Sequence, residues 1–262
     1  MTNPKLNYTP GAKPYFLRIG WLYPDLMNTY GDRGNVIVLQ KRCLWRGIKT
    51  EIKEIGIGAP DKDFLSCDLL LMGGAQDTQQ EVVAKDLKDK RKTFKTMVEN
   101  GTPGLYICGG FQYLGEYYKT ANGNKLPQLG ILDMYTENPG RERLIGNIAI
   151  DASNLFGKTT ILIGFENHGG RTILGKGIKP LGKVLKGFGS NDSAKEEGAI
   201  YKNSIGTYFH GPVLPKNPLL ADYLIKTALE LKYGKKFELE KLDDSLEEKA
   251  RKVIAKRLSI AI

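Results

Sequence analysis

Leu105-Tyr106-Ile107-Cys108-Gly109-Gly110-Phe111-Gln112 is the stretch on which the reading of this chain turns. A short apolar run ends at a thiol, and two glycines follow. A helix-like segment then begins through Gln112, Tyr113 and Leu114 and runs to about Lys119. Strand, sharp turn and helix in that order form the layout of a nucleophile elbow, which pushes a reactive side chain clear of the backbone. Glycine permits the turn and lets a substrate come close. A thiol at a helix N-terminus also meets the positive end of the helix dipole, which favours thiolate. The competing reading is a buried cysteine at the end of a core strand.

Working outward, the flanking segments alternate between strand and helix. Tyr15 to Leu22 reads as a first strand, followed by a loop from Tyr23 to Gly34 and a helix from Asn35 to Arg46. Thr50 to Ile57 reads as a second strand, and Cys67 to Met72 as a buried parallel strand ending at Gly73-Gly74. The helix from Gln79 to Asn100 carries Val83, Leu87, Phe94, Met97 and Val98 on one side. Asn100-Gly101 closes it and Pro103 forbids its continuation. This alternation predicts a parallel sheet wrapped by helices. In such sheets ligands bind beyond the carboxyl ends of the strands, where both Gly73-Gly74 and Cys108 lie.

After Gly123 the texture changes to short strands: Arg143 to Ile150, Thr159 to Phe165, Lys183 to Phe188, Ala199 to Tyr201 and Ile205 to His210. A mostly antiparallel second half is expected, packed onto the first sheet or extending it. Asn217 to Tyr233 is a helix with Pro218 in its first turn. Leu242 to Ser259 is a further, more charged helix.

The chain has 262 residues, a net charge of +10 and three cysteines. Cys43, Cys67 and Cys108 are an odd set without C-x-x-C spacing, so neither a disulfide framework nor a zinc site is indicated. That usage fits a reducing cytoplasm. No apolar run is long enough to span a membrane. The basic excess lies in Lys85 to Lys95 and in a C-terminal third interleaved with acids, the pattern of solvated helix faces. Contact of the C-terminal helix with a partner, or with the inner face of an anionic membrane, stays open. Gly177-Ile178-Lys179-Pro180-Leu181-Gly182-Lys183-Val184 imitates a phosphate-binding loop, but it holds a proline and ends without a hydroxyl for magnesium. ATP binding by this chain is therefore not expected.

A thiol nucleophile needs a base and a place for the oxyanion. The chain holds only two histidines, His168 and His210. His210 ends a strand-like run, as Cys108 does, whereas His168 sits in a polar turn. Strand-end position favours His210 without deciding the matter. The oxyanion donors would be the Gly109 N–H and one N–H of the Gly73-Gly74-Ala75 loop. Cys43 and Cys67 read as core thiols.

Ile107-Cys108-Gly109-Gly110-Phe111-Gln112-Tyr113-Leu114-Gly115 resembles the elbow of class I glutamine amidotransferases of the cobyric-acid-synthase type. Four other segments carry the likeness: Asp25 to Asn35, Gly164 to Thr172, Arg143 to Gly146, and His210-Gly211-Pro212 with Pro215-Lys216-Asn217. More narrowly, the chain is similar to the glutaminase subunits of lipid II isoglutaminyl synthases, which work with a MurT-like, Mur-ligase-like subunit. The likeness spans roughly residues 15–233. It implies the α/β class I glutamine amidotransferase fold: a central, largely parallel sheet flanked by helices, an antiparallel extension and a helical C-terminal tail. Residues 1–14 are then a flexible lead-in, 15–233 the amidotransferase domain, and 234–262 a charged helical extension of it.

The resemblance also implies roles. Cys108 attacks the glutamine carboxamide, and His210 serves as base and then acid. Gly74 and Gly109 supply the oxyanion N–H groups. Arg143 takes the substrate's α-carboxylate, and Gln112 helps hold substrate. No metal or cofactor is implied in this chain, since ATP and magnesium belong to the partner ligase. Lipid II is then reached only through that partner. The chain departs from the wider class at Pro212, where many relatives carry a glutamate that orients the histidine. Glu166 or a backbone carbonyl is left for that task. Two rival readings remain: a glutaminase serving another acceptor, such as a corrinoid carboxylate, and a non-catalytic scaffold subunit.

Overall fold

The computed structural model describes residues 15–262; the expected lead-in, 1–14, lies outside the described residues. The first half alternates as the sequence predicts, with one short helix, α2, that the sequence reading did not place: β1 (Phe16–Leu22), α1 (Arg33–Trp45), β2 (Lys49–Ile55), α2 (Asp61–Leu65), β3 (Leu69–Met72), α3 (Asp77–Glu99), β4 (Gly104–Ile107) and α4 (Gly109–Tyr113). The second half comprises β5 (Tyr117–Lys119), β6 (Lys125–Pro127), β7 (Met134–Glu137), β8 (Leu144–Asp151), α5 (Ser153–Phe156), β9 (Ile161–His168) and β10 (Arg171–Leu174). It continues with β11 (Gly182–Lys186), β12 (Glu196–Glu197), β13 (Ala199–Tyr201), β14 (Ser204–Thr207), β15 (Phe209–His210), α6 (Pro218–Tyr233) and α7 (Ser245–Leu258).

The main sheet has six strands in the order β13-β14-β4-β3-β1-β2. All its pairings are parallel except the antiparallel edge strand β13. β3 and β4, at its centre, are buried at every position, as a parallel strand covered on both faces must be. Alternate side chains feed two cores. Leu69, Leu71, Leu105 and Ile107 join Leu220 and Leu224 of α6. Leu70, Met72 and Tyr106 join Val83, Leu87 and Phe94 of α3, the face that the helical spacing predicts. Each such fully buried side chain contributes about 1.5–3 kcal/mol.

The later strands do more than extend this sheet. They build a five-stranded antiparallel sheet, β12-β11-β8-β9-β15, and a four-stranded one, β10-β7-β5-β6. The run expected as one strand from Ile205 to His210 is split between two sheets. β14 pairs with β4, whereas β15 pairs with β9. The switch comes at Tyr208, whose N–H donates to the buried carboxylate of Glu197 at 2.7 Å. The helix after the elbow is also shorter than expected. It stops at Tyr113 rather than near Lys119, and Tyr117–Lys119 becomes β5. Gly115 is the cause: a Cβ there would meet the Met134 carbonyl oxygen at 2.7 Å, and Glu116 N–H donates to that same oxygen at 2.8 Å.

The C-terminal segment is stitched to the rest by buried polar groups. Arg251 on α7 donates to the carbonyls of Ile161 and Lys216 and to Asn217 Oδ1 at 2.9–3.0 Å. Ala255 packs against Ala149 and Ile163. Among the described residues no helix is long and apolar enough to cross a membrane.

Candidate active site

Cys108 stands between β4 and α4 with φ +52 and ψ −106. A non-glycine residue holds such a backbone only where the surroundings impose it. Here the Cys108 N–H donates to Thr207 O of the adjacent strand at 2.9 Å, and its carbonyl accepts the Gln112 N–H at 2.9 Å. Gly110 is wedged against the end of β3, where a Cβ would meet Met72 O at 2.7 Å. The elbow read from the sequence is therefore present, set at the carboxyl edge of the sheet. It opens into a cavity of about 470 Å³ lined by Tyr30, Ala75, Gln80, Cys108, Gln112, Arg143, Asn167 and His210 among others. That volume suits a small ligand.

His210 ends β15 and faces Cys108 across Gly74. A Cβ on Gly74 would lie 3.0 Å from His210 Cε1 and 3.2 Å from Cys108 Cβ, so a side chain here would press on both thiol and imidazole. The imidazole is buried. Burial alone would push it down, but the negative charge of a Cys108 thiolate, and then Asp32, outweigh burial and hold it up at about 10.

Asp32 is the member that sequence reasoning missed. It precedes the first turn of α1, yet its side chain does not cap the helix. It turns inward instead, placing Oδ1 3.9 Å from His210 Nδ1, a charge contact rather than a hydrogen bond. That leaves Nε2 as the nitrogen for the thiol. The sequence signal was available in Gly31-Asp32-Arg33-Gly34, an acid between two glycines at a helix start. Gly34 packs against the turn after the histidine, where a Cβ would run into the Pro212 ring. Position 212, where the resemblance would lead one to expect an orienting glutamate, is thus taken up by the contact between Pro212 and the start of α1, and the carboxylate arrives from Asp32 just before that helix.

Glu166, the residue offered for that task, is elsewhere. Its carboxylate accepts the N–H groups of Phe188 and Gly189 at 2.8 and 2.9 Å. It stands 4.0 Å from Nε2 of His168. His168 lies at the end of β9 rather than in a polar turn. Its ring stacks on Tyr208 at 3.7 Å, and its Nδ1–H donates to Gly170 O at 2.7 Å. Burial pushes its pKa down to about 3, so it is a neutral wall of the cavity.

The oxyanion donors need one adjustment. Gly74 N–H, the loop donor that the family resemblance implies, is committed to Asp32 Oδ2 at 2.7 Å. The neighbouring Ala75 N–H and the Gly109 N–H have no acceptor among the described residues. The two lie together, since a Cβ on Gly109 would be 3.3 Å from Ala75 N. The free pair in the loop and elbow is therefore Ala75 and Gly109.

Arg143 lies at the cavity rim, where its guanidinium donates to Asn167 Oδ1 at 2.9 Å and to Asn167 O at 2.8 Å. Neighbouring Arg141 pairs with Asp192 at the surface. Gln112 lines the cavity but is tied up in part: it donates to Tyr208 Oη at 3.1 Å and accepts from Gln80 Nε2 at 3.2 Å. No group of three or more His, Cys, Asp or Glu among the described residues is arranged to hold a metal ion.

Known proteins resemble this arrangement. A family model described as the CobB/CobQ-like glutamine amidotransferase domain matches residues 18–218. The GatD subunit of lipid II isoglutaminyl synthase (glutamine-hydrolyzing) from Staphylococcus aureus is 44% identical over 233 residues, 89% of this chain and 92% of that protein. The subunit of the same name from Streptococcus pneumoniae is 41% identical over 246 residues, 94% of this chain and 93% of that protein. Among solved structures, PurLQS from Thermotoga maritima superposes with a TM-score of 0.58 at 16% identity, covering 86% of this chain and 100% of that one. At that identity the superposition speaks for the fold alone.

Proposed function

This chain belongs to the CobB/CobQ-like glutamine amidotransferase family, and on that premise we propose that it is the glutaminase subunit of a lipid II isoglutaminyl synthase. One observation carries the reading: thiol, imidazole and carboxylate converge around Gly74 beside two unengaged backbone N–H groups. The matches to two glutamine-hydrolysing subunits over nine-tenths of this chain support the choice of acceptor.

The chemistry follows from the geometry. The imidazole takes the Cys108 proton, and the thiolate attacks the carboxamide carbon of glutamine. The developing oxyanion lies between the N–H groups of Ala75 and Gly109. Collapse breaks the C–N bond as the imidazolium gives its proton to the nitrogen, which leaves as ammonia. Water, deprotonated by the same imidazole, opens the thioester to glutamate and restores the thiol. Asp32 holds the ring through Nδ1. Arg143 binds the α-carboxylate, and Gln112 lines the side-chain path. These steps need no cofactor in this chain. Ammonia passes to a Mur-ligase-like, MurT-like partner, which spends ATP with magnesium to activate the α-carboxyl of D-glutamate in the stem peptide, giving D-isoglutamine.

The test is to purify the chain with the subunit that accompanies it in the cell and supply glutamine, ATP and lipid II. The expected product is amidated lipid II with one glutamate formed per amide. Cys108→Ala should abolish both glutamine hydrolysis and glutamine-driven amidation, while free ammonia still drives amidation. Amidation of a corrinoid instead of lipid II would move the assignment to another acceptor. Undiminished glutaminase activity in Cys108→Ala would refute it.

A further inference from the structure

We infer that Tyr30 is a positioning residue that couples the Arg143 subsite to the catalytic imidazole, an inference resting on the glutaminase reading above. The observations begin at Arg143. Its guanidinium gives Nε–H to Asn167 Oδ1 at 2.9 Å and one Nη2–H to Asn167 O at 2.8 Å. One edge of the planar fork is thereby used. The other edge, Nη1 with the second Nη2 hydrogen, has no partner among the described residues and suits two parallel bonds to a carboxylate. Arg143 fixes which way the Asn167 amide points. Its Nδ2 then faces away and donates to Tyr30 Oη at 2.9 Å.

The other end of Tyr30 touches His210. The two rings meet edge to face at 4.8 Å between centroids. Tyr30 is 48% exposed while His210 is 1% exposed, so the tyrosine ring is the cover over the imidazole. Two residues on, Asp32 faces Nδ1 of the same ring. Thr29 anchors the loop to the oxyanion turn through its N–H to Gly74 O at 3.0 Å. A single short loop therefore brackets the imidazole and is latched, through one amide, to the arginine that receives substrate. A carboxylate seated on Arg143 stiffens that latch and with it the ring that must move a proton.

Two substitutions separate the two contacts. Tyr30→Phe keeps the ring and removes the hydroxyl, and KM for glutamine should rise about 3- to 10-fold, the worth of one hydrogen bond, with kcat nearly unchanged. Tyr30→Leu removes the cover as well, and kcat should fall by about 10-fold or more because the imidazole loses its placement. In an Arg143→Ala background, Tyr30→Phe should add nothing to KM, whereas Tyr30→Leu should still lower kcat. The measurement is steady-state glutaminase kinetics on the chain with its partner subunit, with thermal melts confirming that each variant is folded. A wild-type KM in Tyr30→Phe, or a KM effect that persists in full without Arg143, overturns the inference while leaving the glutaminase reading intact. A wild-type complex that releases no ammonia from glutamine overturns both.

Discussion

His210 and His168 share a cavity wall yet are driven in opposite directions. Burial pushes His168 down to about 3, so it is neutral at pH 7. Burial also works against charge on His210, but the Cys108 thiolate and Asp32 prevail and hold it at about 10. A histidine raised in the folded state adds stability that is complete below its unfolded value of about 6.5 and is lost as pH rises through the folded value. The window here runs from about 6.5 to about 10. Because Cys108 is the larger favourable influence, Cys108→Ala should lower the His210 pKa. With only two imidazoles in the chain, NMR titration of their Cε1 protons reads this directly. An unchanged His210 titration in Cys108→Ala would show that Cys108 does not hold the imidazole up. Cys108 was legible in the sequence because its chemistry coincides with a local strand–turn–helix pattern. Asp32 was not, because its role depends on a side chain turning away from its own helix toward a residue 178 positions along the chain.

The elements were legible where one local pattern decided them. The apolar spacing of α3 and the all-apolar runs of β3 and β4 matched their buried faces. The misreadings fall where tertiary contacts override local preference. The Ile205 to His210 run looks continuous, but Glu197 captures Tyr208 N–H and the strand changes sheets there. That break matters for function, since it sends His210 to β9 while Thr207 holds the Cys108 backbone. Helix α1, which delivers Asp32, is fixed in turn by Arg42. The Arg42 guanidinium is almost fully buried and donates to Asp222 of α6 at 2.7 and 2.8 Å and to Asp244, just before α7, at 2.6 Å. Breaking a buried pair costs about 3–5 kcal/mol, and the partial exposure of both carboxylates reduces that. Arg42→Ala should therefore lose about 2–4 kcal/mol in urea unfolding. A loss below about 0.5 kcal/mol, the level of an exposed pair, would show that α1 is held by packing alone.

Across the whole molecule the three thiols are sorted by the fold. Burial pushes Cys43 up to about 12 and Cys67 up to about 11. Both are buried in the layers around the main sheet, where a thiol stays protonated and inert. Cys108 alone is partly exposed, and it opens into the cavity that holds His210 and Arg143. The claim that Cys108 opens glutamine thus predicts selective chemistry. Peptide mass spectrometry of the native complex, after exposure to an electrophilic glutamine analogue, tests it most directly. The expected result is a single adduct on Cys108, formed in proportion to lost glutaminase activity and suppressed by excess glutamine. An active complex that carries no adduct on Cys108, or whose inactivation tracks modification of Cys43 or Cys67, would contradict it.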